Sequence, residues 1–136
     1  MSLVLDASVA LAWCFQDETS ALAERALDEL VVSGGVVPGL WRLEVANALK
    51  MAVRRGRMTL AQRDQALADL ADLAVAVDVE TDTQAWTATL TLADRFNLTL
   101  YDAAYLELAQ RRNLPLASLD TALCNASQTL GLLFEG

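Results

Sequence analysis

Short apolar segments alternate along this chain with longer segments of helical periodicity, and this alternation restricts the fold more than any other feature. The predicted strands are residues 3–5, 36–37, 75–79 and 114–118, and 132–134 can form a last short strand. Short apolar strands that alternate with helices are typical of a parallel sheet covered on both faces. The sequence therefore predicts an α/β fold with a central parallel sheet.

The helix boundaries follow from capping signals. A helix over residues 18–32 is followed by Gly34, and one over 40–55 is followed by Gly56. Thr59 and Gln62 have the spacing of a capping box and open a helix to residue 73, and Thr81 and Gln84 repeat this spacing for a helix to residue 96. Further helices are expected over 7–15, 101–112 and 120–130. The 136 residues fit a single domain over 1–136.

The chain contains no histidine. Catalytic triads that need histidine are therefore excluded, and so is the commonest ligand of transition metals. Hydrolytic chemistry in this chain must use carboxylates, hydroxyl groups or a hard metal ion that is held by oxygen.

The charge is strongly acidic overall but unevenly distributed. Ten basic against eighteen acidic residues give a net charge of −8, which on its own argues against nucleic-acid binding. Residues 45–63, however, contain five basic residues and no acidic one. A local basic surface that includes Arg54, Arg55 and Arg57 is one interpretation; an ordinary solvated helix end is the other.

Two of the acids follow predicted strands. Asp6 follows the first strand and Asp120 follows the strand that ends at Ser118. Ligands of open parallel sheets bind beyond the carboxyl ends of the strands, so both carboxylates are placed where a site would form. The alternative for each is helix capping, since aspartate is a good N-cap residue.

Two further acids lie on helix faces that are otherwise apolar. Glu44 shares its face with Leu40, Trp41, Asn47, Ala48 and Met51, and Asp102 shares its face with Tyr105, Leu106 and Ala109. Glu107 and Arg111 are expected on the opposite side of the helix that contains Asp102. A charge among apolar residues needs a partner or a metal. The alternatives are a surface pair of Glu44 with Arg42 or Arg55, and a first-turn role for Asp102 in the helix dipole.

Several carboxylates that meet at one place repel each other unless a cation is present. Ligation by oxygen alone suits Mg²⁺ or Mn²⁺. Such an ion activates water and neutralises charge on a phosphoryl group. The sequence therefore predicts a metal site built from Asp6, Glu44, Asp102 and Asp120.

The order and spacing of these motifs resemble those of the PIN domain, and in particular of the VapC-type toxins of bacterial and archaeal toxin–antitoxin pairs. The resemblance extends over essentially the whole chain. Its motifs are the strand that ends in Asp6 with Ser8 two residues later, the helix with Glu44 and Asn47, the segment 102–106, and Ser118-Leu119-Asp120 before the last helix. Some family members have a further acid after the fourth motif, where this chain has Asn125.

The resemblance implies a three-layer α/β/α fold and Mg²⁺- or Mn²⁺-dependent endonucleolytic hydrolysis of RNA. It implies that Asp6, Glu44, Asp102 and Asp120 hold the metal, and that water activated by the metal attacks the phosphodiester and leaves 5′-phosphate and 3′-hydroxyl ends. Ser8, Asn47 and Ser118 are then supporting groups that fix carboxylates or waters.

The resemblance also implies a homodimer and a small VapB-type antitoxin that inserts a segment into the active-site groove. Arg54, Arg55 and Arg57 are candidates for contact with RNA or with that antitoxin. Four aromatic residues are candidates for base stacking, although core or interface packing is the simpler interpretation: Trp13, Trp41, Trp86 and Tyr105.

Other functions are less consistent with the sequence. A non-catalytic PIN-like module for dimerisation or protein binding does not need all four acids. A phosphatase of the haloacid-dehalogenase type needs an aspartate where Ser8 stands, and no glycine-rich nucleotide loop is present. The chain has neither a long apolar span nor a signal peptide at its start, so we expect a cytoplasmic protein without a membrane partner.

Overall fold

The computed structural model describes residues 2–18 and 20–136. Met1, in the predicted domain, and Thr19, at the predicted start of the second helix, lie outside the described residues. No helix in the described part of the chain is both long and apolar enough to span a membrane. The described residues form four strands and eight helices: β1 (Leu3–Leu5), α1 (Ala7–Cys14), α2 (Ala21–Ser33), β2 (Gly35–Val37), α3 (Trp41–Arg54), α4 (Leu60–Ala71), β3 (Val75–Val77), α5 (Thr81–Gln84), α6 (Ala88–Phe96), α7 (Leu100–Arg112), β4 (Leu116–Ala117) and α8 (Thr121–Thr129).

The four strands form one sheet in the order β3-β2-β1-β4, and every pair is parallel. The chain adds β2 and β3 on one side of β1 and then returns to place β4 on the other side. β1 and β4 are therefore the point at which the strand order reverses, where sheets of this kind bind ligands. The prediction of a three-layer α/β/α fold with a central parallel sheet is confirmed.

Burial explains why these short segments become strands. All three residues of β1 and both residues of β4 are fully buried, as expected for a parallel sheet covered by helices on both faces. α2 and α7 each pack on β1 and β4. Residues 103–109 of α7 are all buried, so this helix passes through the interior rather than along the surface. Its first turn, with Asp102, is thereby held against the sheet.

The predicted helix over residues 81–96 is wrong as a single element. It is divided into α5 and α6, because the backbone of Thr87 leaves the helical region at φ −121° and ψ −97°. The capping box predicted at Thr81 does not form. Thr81 instead donates to Asp78 and accepts from the backbone N–H of Gly39. The capping box of Thr59 and Gln62 is present as predicted.

A buried ion-pair network joins the end of β3 to α7 and involves Glu107 and Arg111, the two residues expected on the side of this helix opposite Asp102. Asp78 follows β3, and its side chain is 0% exposed. Arg111 contacts both Asp78 and Glu107, and Arg112 adds a second contact to Asp78. Glu107 is itself buried. The polar side of α7 therefore packs against the sheet edge instead of facing solvent.

Candidate metal site at the carboxyl ends of the strands

The pairing of β1 with β4 places Asp6 beside Ser118. Val4 pairs with Leu116 and Leu5 with Ala117, so the next residues in this register are Asp6 and Ser118. The backbone N–H of Asp6 donates to the carbonyl of Ala117 over 3.0 Å, which continues the ladder by one step. The two strand ends that the sequence identified separately therefore form one structure.

Two serine hydroxyl groups orient the Asp6 carboxylate. Ser8 Oγ and Ser118 Oγ both donate to Asp6 Oδ2, over 2.5 and 2.8 Å. The backbone N–H of Leu119 donates to Ser8 Oγ, and that of Asp120 donates to Ser118 Oγ. Since each hydroxyl already accepts a backbone N–H, its single proton is directed to Asp6. Asp6 is the N-cap residue of α1, but its side chain makes no capping hydrogen bond of normal geometry, and its closest partners are the two serine hydroxyls.

Glu44, on α3, is held by a residue of α7. Tyr105, fully buried in α7, donates its hydroxyl proton to Glu44 Oε1 over 2.5 Å. Within the described residues no arginine or lysine forms an ion pair with Glu44, so the surface pair with Arg42 or Arg55 is not present. A partly buried carboxylate on α3 is thus fixed by an uncharged donor on α7.

Asp102 and Asp120 stand at the beginnings of two helices. Asp102 is in the first turn of α7, where its backbone N–H is capped by Thr99 Oγ1 over 3.1 Å. Asp120 is the N-cap residue of α8 and accepts from the backbone N–H of Leu123 over 2.9 Å. The capping alternative is therefore real for Asp120. Capping uses Oδ2 of that carboxylate and leaves the negative charge on the residue.

The four carboxylates influence one another electrostatically. Burial raises the pKa of Asp6, and the two serine hydroxyls only partly offset this. Burial raises the pKa of Glu44 as well; the Tyr105 bond lowers it, while the charges of Asp6 and Asp102 raise it further. The pKa of Asp102 is raised by burial, by Asp6 and by Asp120. Each of the four acids therefore acts on, or responds to, at least one of the others.

The chemistry of this donor set fits a hard divalent cation. All of its side chains present oxygen, and their mutual repulsion is the condition that a cation relieves. Within the described ranges, however, no three acidic, cysteine or histidine side chains are arranged as a ready-made metal site. Part of the coordination shell would then come from water, as is usual for Mg²⁺.

Residues 3–128 match the family model of the PIN domain. The chain belongs to the PIN domain family. This PIN domain is 32% identical over 123 residues to Ribonuclease VapC3 of Pyrobaculum aerophilum, and the match covers 90% of this chain and 92% of that protein. The resemblance that the sequence motifs indicated is confirmed.

Two solved structures share the fold of this PIN domain. PAE2754 from Pyrobaculum aerophilum superposes with a TM-score of 0.68 at 23% identity, covering 93% of this chain and 84% of that one. VapC20 of Mycobacterium tuberculosis, a toxin that cleaves the sarcin-ricin loop, has a TM-score of 0.61 at 17% identity, with 96% of both chains covered. At these identities the likeness concerns the fold alone.

A groove of about 630 Å³ leads away from the acids along α3 of this PIN domain. Ser8 and Leu119, which belong to the hydrogen-bond network around Asp6, line one part of it. On α3 its wall continues the face of Glu44 at one-turn intervals. The residues of this wall are Ala48, Met51, Ala52 and Arg55.

The predicted basic cluster is divided by the structure of the PIN domain. Arg55 lines the groove, and so does Arg57, whereas Arg54 does not. Arg57 is already paired with Asp17 and Glu18 and lies over the ring of Phe15 at 3.9 Å. Arg55 is exposed and forms no ion pair within residues 2–18 and 20–136, so its charge is available to a ligand.

The other residues predicted from the sequence form no hydrogen bonds to the four acids in the described part of the chain. Asn47 is exposed one turn beyond Glu44, and in the described part of the chain it forms no hydrogen bond to the acids. Asn125 is exposed on α8. Trp13 is half-buried and bonded to the carbonyl of Ala23, Trp41 is buried, and Trp86 is 88% exposed.

The residue that sequence reasoning missed is Tyr105, as a hydrogen-bond donor rather than a stacking group. Its position one turn after Asp102 on the same apolar face was the available signal. Burial raises the pKa of Tyr105 well above its usual range, and the charge of Glu44 adds to this rise. The hydroxyl therefore stays protonated and acts only as a donor at neutral pH.

Proposed function

We propose that this PIN domain is a metal-dependent endoribonuclease and the toxin of a VapC-type toxin–antitoxin pair. The observation that carries the proposal is the meeting of Asp6 and Ser118 at the carboxyl ends of β1 and β4, with Glu44 and Asp102 close enough for neighbouring acids to raise their pKa values. The name of the relative, Ribonuclease VapC3, supports RNA as the substrate. A homodimer and a cytoplasmic location are part of the proposal on the strength of the family resemblance.

Each residue has a distinct part in this proposal. Asp6, Glu44, Asp102 and Asp120 would hold Mg²⁺ or Mn²⁺, directly or through water. When bound, the ion supplies charge neutralisation for the phosphate and lowers the pKa of a water molecule. Ser8 and Ser118 keep Asp6 in one orientation through the hydrogen bonds described above. The scissile phosphate would then bind at the strand ends, where the four acids meet.

Metal dependence gives the first test. We expect purified protein to cleave RNA internally when Mn²⁺ or Mg²⁺ is present and to stop when EDTA removes the ion. Cleavage is followed on gels with end-labelled RNA, and the new ends should carry 5′-phosphate and 3′-hydroxyl groups. At 100 times its dissociation constant, the same ion should increase the free energy of unfolding by about 2.7 kcal/mol, which is measured as a higher melting temperature.

The contradicting result is equally definite. RNA cleavage that persists in EDTA would reject the metal-dependent reaction. A protein that neither binds Mn²⁺ nor cleaves RNA would instead be the non-catalytic PIN-like module, which acts by dimerisation or protein binding.

The groove along α3 is the proposed binding site of the antitoxin. Its wall combines apolar side chains such as Ala48 and Met51 with the free charge of Arg55, and its other end is lined by Ser8, which hydrogen-bonds to Asp6. An amphipathic segment with an acidic residue beside Arg55 and an arginine or lysine at the end toward the acids would complement both ends. Such a segment would place its cation among the acids in the absence of a metal.

Met51→Glu tests this location. A carboxylate at position 51 replaces an apolar contact of the wall and pairs with Arg55 one turn later, so it is expected to weaken antitoxin binding by about 1–3 kcal/mol, roughly 10- to 100-fold. Binding is measured by calorimetry with the proposed VapB-type antitoxin. Lys50→Gln changes the net charge by the same amount at an exposed position outside the groove, and it should bind normally. Equal affinity of both variants would place the antitoxin elsewhere.

A further inference from the structure

The buried hydroxyl of Tyr105 is the feature near the site that the proposed function leaves without a role. We propose that Tyr105 is a positioning residue that orients Glu44 for a divalent cation through the hydrogen bond to Oε1. This inference rests on the proposed function, because it concerns the same carboxylate cluster. It assigns a role in metal binding to a residue that is not itself a ligand.

The placement of Tyr105 gives it a fixed relation to two of the acids. It lies one turn after Asp102 on α7, with its side chain 0% exposed, and it reaches Glu44 on α3 over 2.5 Å. One helix thus carries a carboxylate of the cluster and the donor that fixes another. Movement of α7 relative to α3 would disturb both carboxylates together.

The choice of donor is informative. The chain uses guanidinium groups where it neutralises a buried carboxylate, as Arg111 and Arg112 do for Asp78. Glu44 instead receives a neutral hydroxyl proton. A neutral donor fixes one carboxylate oxygen and leaves the full negative charge available to a metal, whereas an arginine in the same position would compete with it.

Asp6 is held in the same way. Its two side-chain partners, Ser8 and Ser118, are also hydroxyl groups. Within the described residues neither Asp6 nor Glu44 forms an ion pair, although both are buried or partly buried. Orientation by neutral donors, with the charge left unpaired, is the arrangement expected for ligands that await a cation.

Tyr105→Phe removes the hydroxyl and keeps the ring. Outer partners of metal ligands typically affect metal affinity 10- to 100-fold, and we expect Mn²⁺ to bind about 10-fold more weakly to the RNA-free variant by calorimetry. RNA cleavage should fall at limiting Mn²⁺ and recover in part at saturating Mn²⁺. Tyr101→Phe is the matched control, because Tyr101 is exposed on the same helix and its hydroxyl makes no side-chain bond in the described structure.

A second measurement does not depend on the stability of Tyr105→Phe. The chain has two tyrosines, so 3-fluorotyrosine incorporated into Tyr101→Phe labels Tyr105 alone. We expect its ¹⁹F resonance to shift when Mg²⁺ is added and to change position in the Glu44→Gln background. A resonance that does not respond to Mg²⁺ in a protein that binds the ion would overturn the proposal.

The outcomes separate this inference from the proposed function. Wild-type protein that cleaves RNA with Mn²⁺, beside a folded Tyr105→Phe variant with unchanged Mn²⁺ affinity, would reject the role of Tyr105 alone. Wild-type protein that binds no Mn²⁺ would reject the proposed function and this role with it. Loss of affinity in Tyr105→Phe, with normal affinity in Tyr101→Phe, supports both.

Discussion

Asp102→Asn is expected to lower the rate of RNA cleavage by at least about 100-fold. Loss of a residue that only supports a metal ligand costs about 10- to 100-fold, and loss of a ligand itself should cost more. The fold should persist, because the hydrogen bond that anchors this position uses the backbone N–H of residue 102 and Thr99 Oγ1. Asparagine keeps the size of the side chain and removes its charge. The activity is measured with end-labelled RNA in Mn²⁺, and the fold by circular dichroism.

A matched control separates this charge from acidity in general. Asp94→Asn removes one negative charge from an exposed position on α6, and its cleavage rate should equal that of the wild type. If Asp102→Asn also cleaves at the wild-type rate, the four-carboxylate site is rejected.

The same variant has an opposite effect on stability in the absence of metal. The pKa of Asp102 is raised in the folded state by burial and by the charges of Asp6 and Asp120. The folded state therefore binds a proton more tightly than the unfolded state, and the contribution of this group to stability is lost as pH rises from about 4 through the folded pKa. In EDTA at pH 7, Asp102→Asn should be at least as stable as the wild type, and its stability should fall less between pH 4 and pH 7.

Sequence periodicity was sufficient to place all four acids in the fold, although not to prove their function. Parallel register brings the ends of β1 and β4 to one edge, so the positions of Asp6 and Ser118 followed from strand order. Helical spacing predicted that Glu44 and Asp102 point inward. These inferences succeed because each depends on a local pattern and on one general property of parallel sheets.

The parts that the sequence did not predict depend on pairs of residues far apart in the chain. The Tyr105–Glu44 hydrogen bond joins positions 61 residues apart, and the Arg111–Asp78 pair joins positions 33 apart. Local periodicity separated Glu107 and Arg111 from the face of Asp102, but it carries no information on such distant partners. The absence of the capping box predicted at Thr81 has a similar origin, because the side chain of Thr81 is hydrogen-bonded to Asp78 and to the backbone N–H of Gly39, which is 42 residues away.

Arg111→Ala is expected to destabilise the fold strongly. Burial alone would raise the pKa of Asp78, but the hydrogen bonds and charge of Arg111 outweigh it, and the pKa is lowered overall. Removal of Arg111, itself only 20% exposed, leaves buried negative charges on Asp78 and Glu107 with less compensation. Breaking a buried pair from one side costs about 3–5 kcal/mol. We expect about 3 kcal/mol, since Arg112 remains beside Asp78, and a melting temperature lower by about 10 °C.

The pH dependence and a second replacement test this cause. Because the folded pKa of Asp78 is lowered, its ionised form stabilises the fold above the unfolded pKa near 4, and this contribution is lost as pH falls through the folded pKa. The difference in the free energy of unfolding between the wild type and Arg111→Ala should therefore become smaller in acid.

Asp78→Asn in the Arg111→Ala background should recover part of the lost stability, because it removes a buried charge without a full partner. Arg63→Ala, which breaks the exposed pair with Asp64, should cost less than about 1 kcal/mol by urea unfolding. An equally small cost for Arg111→Ala would mean that the network does not anchor α7 to the sheet.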